Sequence, residues 1–194
     1  MHLVFDICQG IGVAAAIGVR PFLPALVTGV LAAANVEIHF KHTDYSFLQS
    51  VPFLLALLVC VVLGLVLAAR LGERQGGRGD IVLAVISLVL GALFFAGSLA
   101  RGHYAAWPGL IGGVVCGAVG IAASVPLLRR VRARLDAEAA GALPWLAEGA
   151  AALAAALSVV APPVGVIVLV FLVWLLLAGR RRADQKYAGL RILR

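Results

Sequence analysis

Residues 81–100, IVLAVISLVLGALFFAGSLA, carry no charged side chain, and Asp80 and Arg101 close the run at its two ends. A helix of that length rises about 30 Å, the thickness of the hydrocarbon core of a bilayer. Backbone groups in lipid must be satisfied within the segment, so such a run is read as a spanning helix. Residues 107–128 repeat the pattern, as do residues 45–69, whose apolar core begins at Val51. Further uncharged stretches cover residues 7–19, 21–36 and 149–179. The composition follows from these runs: 63% of the residues are hydrophobic and 13% charged. A soluble domain carries about 25% charged residues, so disorder, a fibre and a soluble enzyme are all excluded. What remains is an all-α polytopic membrane protein of about five to seven membrane segments. It forms a single transmembrane domain over residues 1–179, followed by a basic tail, 180–194.

Two regions do not fit a single ordinary pass. As one helix, residues 149–179 would be about 46 Å long, and Pro162-Pro163 interrupts them by removing two ladder hydrogen bonds. The first region has the same form, two short apolar legs with Arg20-Pro21 and Pro24 between them. Both are read as proline-broken helical hairpins, either re-entrant or just spanning, that flank three full transmembrane helices; for the first region a single kinked pass with the N-terminus inside satisfies the charge count as well.

Charge distribution orients these segments. Arg70, Arg74 and Arg78 lie on one side, and Arg129, Arg130, Arg132 and Arg134 follow two passes later. By the positive-inside rule both loops are cytoplasmic, as is the tail with Arg180, Arg181, Arg182 and Lys186. A final region with both ends inside crosses an even number of times, which points the Pro162-Pro163 tip outward. The same logic turns the Arg20 tip toward the cytoplasm. The net charge of +7 is therefore topological, with anionic lipid headgroups as partners at the cytoplasmic face and no nucleic acid. The opening residues MHLVFD lack the basic start of a cleavable signal peptide. Cys8, Cys60 and Cys116 are scattered through apolar runs and form neither a disulfide framework nor a zinc spacing.

Few residues offer chemistry. Arg20 interrupts an apolar region, where an arginine costs at least about 2.5–3.5 kcal/mol at the bilayer centre unless it is paired, solvated or interfacial. It is read either as a snorkelling anchor or as a ligand residue at a broken helix, where end dipoles and open backbone groups bind ions. Pro21, Pro24, Pro162 and Pro163 mark the two breaks of that pathway. Glu148 is the counter-ion expected for Arg20, and Asp6, near the opposite face, is the weaker alternative. Gly109, Gly113 and Gly117 repeat at four-residue spacing, with Gly112 and Gly120 beside them. Such a ridge lets helices approach closely, either inside one subunit or between subunits of a homo-oligomer. His39, His42 and Asp44 stand close together in a polar loop with Glu37, which makes them the metal candidates, although a solvated loop is the simpler reading. No catalytic triad, phosphate-binding loop or dinucleotide fingerprint can be assembled, and no cofactor is expected.

Residues 12–31, GVAAAIGVRPFLPALVTGVL, set a glycine- and alanine-rich helix before a turn that holds Gly18, Arg20, Phe22, Leu23 and Pro24. Together with the loop TDYSFLQSVPFLL at residues 43–55 and the proline-broken final region preceded by Glu148, this resembles a bacterial family of uncharacterised membrane proteins, the domain of unknown function 4126. The resemblance implies the same architecture in a bacterial inner membrane, and it implies no mechanism.

The function expected first is a small homo-oligomeric channel or transporter for an ion or small solute. A lipid-handling membrane protein or enzyme using Asp6, His39, His42, Asp44 or His103 is the second expectation. A structural or regulatory membrane component without transport is the third.

Overall fold

The computed structural model describes residues 2–38, 40, 43–71 and 78–190. Among these residues seven helices follow one another: α1 His2–Val19, α2 Phe22–Ala33, α3 Val51–Leu71, α4 Arg78–Arg101, α5 Trp107–Arg132, α6 Ala137–Val160 and α7 Pro162–Leu190. A single 3-10 turn, Ser46–Gln49, precedes α3, and no strand occurs among the described residues. Among the described residues four helices are long and apolar enough to cross a membrane, at Gly79–Arg101, Trp107–Arg132, Ala139–Val160 and Pro162–Arg180. Leu3–Val19, Phe22–Ala33 and Val51–Leu67 are shorter apolar helices. The chain is a multi-pass helical membrane protein.

The centre of the bundle is α1. Val13, Ala14, Ala15, Ala16 and Ile17 have no exposed surface, a full turn of helix enclosed on every side. Small residues make this enclosure tight. A Cβ on Gly10 would overlap the Phe95 ring of α4, one on Gly18 would lie 2.2 Å from the Gly117 carbonyl oxygen of α5, and one on Gly165 of α7 would lie 2.1 Å from the Cys8 carbonyl oxygen. In lipid, where apolar side chains gain little by leaving the solvent, this close backbone approach is what holds helices together.

These contacts also fix direction. Phe95 meets Gly10 and Gly91 meets Ala14, so α4 runs antiparallel to α1. Ser158 meets Gly12, and Gln9 donates to the carbonyl of Val159, so α6 is antiparallel as well, while α7 returns parallel to α1. The hairpin α6–α7 therefore turns at Pro162 on the end of the bundle that holds Asp6. The hairpin α1–α2 turns at Arg20-Pro21 on the other end, where the arginines of α5 stand. The two hairpins enter the bundle from opposite ends, as the prolines and charges predict.

The second hairpin is longer than its uncharged stretch. α6 starts at Ala137, runs through Pro144 and Glu148, and has Asp136 as its N-cap, the side chain accepting a hydrogen bond from the Ala139 N–H at 2.9 Å. Both legs are thus full-length, and neither is a half-helix. α7 continues as helix past Arg180, where the tail was expected to begin.

Candidate functional site

At its C-terminal end α1 stops well short of its neighbours. It holds 18 residues, about 27 Å of helix, while α5 holds 26, about 39 Å. Gly120 of α5 already lies against Ala15 and Gly18, so the rest of α5 up to Arg132 extends beyond the end of α1. Pro21 then starts α2, with backbone angles of a helix and no side-chain cap, and the chain leaves the axis. Beyond Val19, therefore, α1 no longer fills the axis of the bundle at this basic end, where the Arg130 side chain of α5 reaches Gly179 of α7.

Two clefts flank this end of α1. The first, about 390 Å³, lies between the α1–α2 break, the first turns of α4 and the last turns of α5. Its polar lining is Arg20, Asp80, Ser87, Ser124 and Arg129. Ser87 and Ser124 are buried, and their hydroxyls donate within their own helices to the carbonyls of Leu83 and Ile121, which leaves oxygen lone pairs facing outward. Arg20 is half-buried, with its Nε out of contact with solvent, and Arg129 is exposed. Among the described lining residues Arg20 and Arg129 are the cations and Asp80 the carboxylate, and Arg20 and Asp80 each make a polar or charged contact of their own. The second cleft, about 370 Å³, is bounded by α1, α5, α6 and α7 and is almost wholly apolar. Val19, Ser124 and Leu128 line both.

The structure places the sequence candidates as follows. Pro21 and Pro24 are buried in the first turn of α2, beside Arg20. Glu148, on α6, is half-buried at the same end of the bundle. Counted from the Gly12–Ser158 contact along antiparallel helices, Arg20 and Glu148 differ in depth by about 3 Å. Each of the two makes a polar or charged contact. Pro162 and Pro163 open α7 at the opposite end.

Asp6 is far from Arg20. It is buried, and its Oδ1 accepts a hydrogen bond from Nη2 of Arg101 at 2.8 Å in an ion pair. Nη1 of Arg101 donates to the Glu37 carbonyl. Left-handed backbone at Asn35 (φ 57°) and Glu37 (φ 54°) turns the chain after α2 so that this carbonyl faces Arg101. Gly102 leaves room for the carboxylate, since a Cβ there would lie 2.7 Å from Asp6 Oδ2. The end of the bundle opposite the clefts is thereby tied shut across α1, α4 and the loop after α2.

The glycine ridge is spent inside the chain. A Cβ on Gly109 would meet the backbone of Ala96, one on Gly113 the backbone of Gly91 and Ala92, and one on Gly120 the carbonyl oxygen of Ala15; Gly112 faces the Phe95 ring. Asp44 is exposed, while His39 and His42 lie outside the described residues. Among the described residues no group of three histidine, cysteine or acidic side chains could hold a metal ion.

Sequence reasoning passed over Gln9, Asp80, Arg101 and Arg129. Gln9 is buried in the apolar core, and its Nε2 donates at 3.0 Å to the Val159 carbonyl. In a continuous helix that carbonyl would accept from residue 163, which is a proline without an N–H. A lone amide in an apolar run facing a distant proline pair is the signal that could have found it. Arg129 and Asp80 were read as boundary charges, although each closes a helix turn beside the Arg20 break.

No curated protein and no solved structure matches the chain. A family model described as a domain of unknown function (DUF4126) matches residues 7–182, from the first turns of α1 into α7. The match spans all seven helices, both hairpins and both clefts, and by it the chain belongs to the domain of unknown function 4126 family.

Proposed function

We propose that the protein is a transporter that binds an anionic solute in the cleft at the end of α1 and carries it across the membrane. One observation carries this reading: a central helix of 18 residues that ends before its 26-residue neighbour α5 does, with a cleft of about 390 Å³ at its tip lined by Arg20 and Arg129. That volume falls in the range of roughly 300–1,000 Å³ typical of small-molecule sites. A guanidinium presents five N–H donors in a planar fork suited to carboxylate or phosphate oxygens. The cost of a charge within a membrane is offset when a cavity admits water and an anion.

With the arginine-rich end in the cytoplasm of a bacterial inner membrane, as the positive-inside rule directs, the cleft opens inward. The far end is held closed by the Asp6–Arg101 pair and by the glycine-packed crossings of α1. This arrangement suits one state of an alternating-access cycle, in which α1 and its hairpin move against α4 and α5. A homo-oligomer is part of the proposal, formed through faces other than the glycine ridge.

The test is flux in proteoliposomes loaded with chloride, phosphate or a short dicarboxylate. Uptake of at least one anion is expected, reduced tenfold or more by Arg20→Gln in protein that keeps its thermal stability. Absence of protein-dependent flux across the whole panel removes the reading.

A further inference from the structure

The polar cleft does not stand alone: an apolar cleft of nearly equal volume adjoins it, and the two share Val19, Ser124 and Leu128 as common wall. A small hydrophilic anion would use only the first. The second is built from Ala147, Ala151 and Ala154 of α6 facing Phe171, Leu172 and Leu175 of α7, with α1 and α5 behind. Alanines on one side keep the groove open where larger residues would close it. Ile167 and Phe171 on its margin are more than half exposed, so it communicates sideways with the space that lipid occupies.

We infer that the ligand of this site is an amphiphilic anion: a single- or double-chain lipid whose phosphate or carboxylate head lies against Arg20 and Arg129 while an acyl chain lies in the α6–α7 groove. This rests on the reading of the cleft as an anion site and names the class of anion. Charge complementarity places the head, because Arg20 and Arg129 both line the polar cleft, and the exposed Arg129 offers its guanidinium to a headgroup at the cleft's margin. Proximity places the chain, because Val19, Ser124 and Leu128 line both clefts and the apolar groove lies just across them from the polar lining. The ligand then enters from the plane of the membrane, between α6 and α7, and no opening in the bundle end large enough for it is required.

Trp174 reports on the groove, since it stacks on Phe171 with ring centroids 6.0 Å apart. The full chain carrying Trp107→Phe and Trp145→Phe, which leaves Trp174 as the only tryptophan, is placed in phosphatidylcholine nanodiscs. Quenching of its fluorescence is measured with chain-brominated phosphatidic acid, fatty acid or phosphatidylcholine as the minor component. At least one anionic quencher is expected to reach half-quenching at a mole fraction at least tenfold below that of brominated phosphatidylcholine. Whichever does so identifies the head as phosphate or carboxylate. Arg20→Gln and Arg129→Gln should each bring the anionic curve toward the zwitterionic one, and Ala154→Leu should weaken quenching by filling the groove.

Equal quenching by all three lipids in the unsubstituted groove overturns the inference, because contact is then with annular lipid alone. A preference that survives both arginine substitutions overturns it too. Lipid preference without flux of any small anion leaves this inference standing and removes transport. Small-anion flux with no lipid preference does the reverse.

Discussion

Replacing single glycines by alanine separates internal packing from subunit contact, and the clearances set the size of each effect. At Gly113 an added Cβ would lie 2.5 Å from Cα of Ala92 and 2.5 Å from the Gly91 carbonyl oxygen. Ordinary contacts of this kind fall near 3.5–4.0 Å, so α4 and α5 must separate by about 1 Å. Backbone atoms cannot rotate away, and overpacking of this sort costs about 1–3 kcal/mol. Alanine recovers up to about 1 kcal/mol of helix propensity, which leaves Gly113→Ala destabilising by up to about 2 kcal/mol. One turn later the balance reverses. At Gly117 the nearest atom is Cδ2 of Leu88 at 3.4 Å, the end of a side chain with freedom to shift, so Gly117→Ala should be neutral or slightly stabilising. Gly149 has nothing within 4 Å of its Cβ position, and Gly149→Ala should stabilise by about 0.5–1 kcal/mol. Unfolding in mixed micelles by rising SDS fraction, read by circular dichroism with native-detergent mass in parallel, gives all three values. A Gly113→Ala protein with unchanged stability and a reduced mass would refute the reasoning, since the ridge would then join subunits.

Three further outcomes follow from individual contacts. Arg101→Gln strands the buried Asp6 carboxylate and should cost about 3–5 kcal/mol, more than Asp6→Asn, because Arg101 keeps 21% of its side chain exposed where Asp6 keeps 2%; equal losses in thermal unfolding would contradict this. Gln9→Leu leaves the Val159 carbonyl without its donor and should cost about 1–3 kcal/mol in the same measurement, whereas a silent substitution would show the proline break is satisfied without Gln9. Arg20 and Glu148, near the same depth, should couple in a double-mutant cycle of flux or stability, and additivity within about 0.5 kcal/mol would leave Arg20 as a topological anchor.

The sequence carried the helical class, the two broken hairpins and their opposed tips, because proline chemistry and arginine placement are local signals. It was less informative about the start of α6: Asp136 caps a helix that tolerates Glu148 and Pro144, so the uncharged run at residues 149–179 understates its length. The centrality of α1 was not legible, since its alanines and glycines read equally well as any tightly packed helix; only its enclosure by four later helices distinguishes it. The Asp6–Arg101 pair joins residues 95 positions apart, and no spacing rule reaches that far. Arg20 was visible as an expensive charge, but its cleft was not, because it arises from the difference in length between α1 and its neighbours. Arg129 and Asp80 then acquire a role by position alone.

The enclosure of α1 also has a consequence for how the protein is made. The helix that leads the described chain touches α4, α5, α6 and α7, so its walls are synthesised one after another behind it. Until α7 arrives, the Cys8–Gly12 face that receives Gly165 stays open to lipid, with the Gln9 amide beside it. The native interior is thus assembled from contacts of long sequence separation, which are slow to form because chain closure precedes their reward. A ribosome-released intermediate ending after α6 would hold Gln9 against its carbonyl partner while one flank of α1 remained in the bilayer.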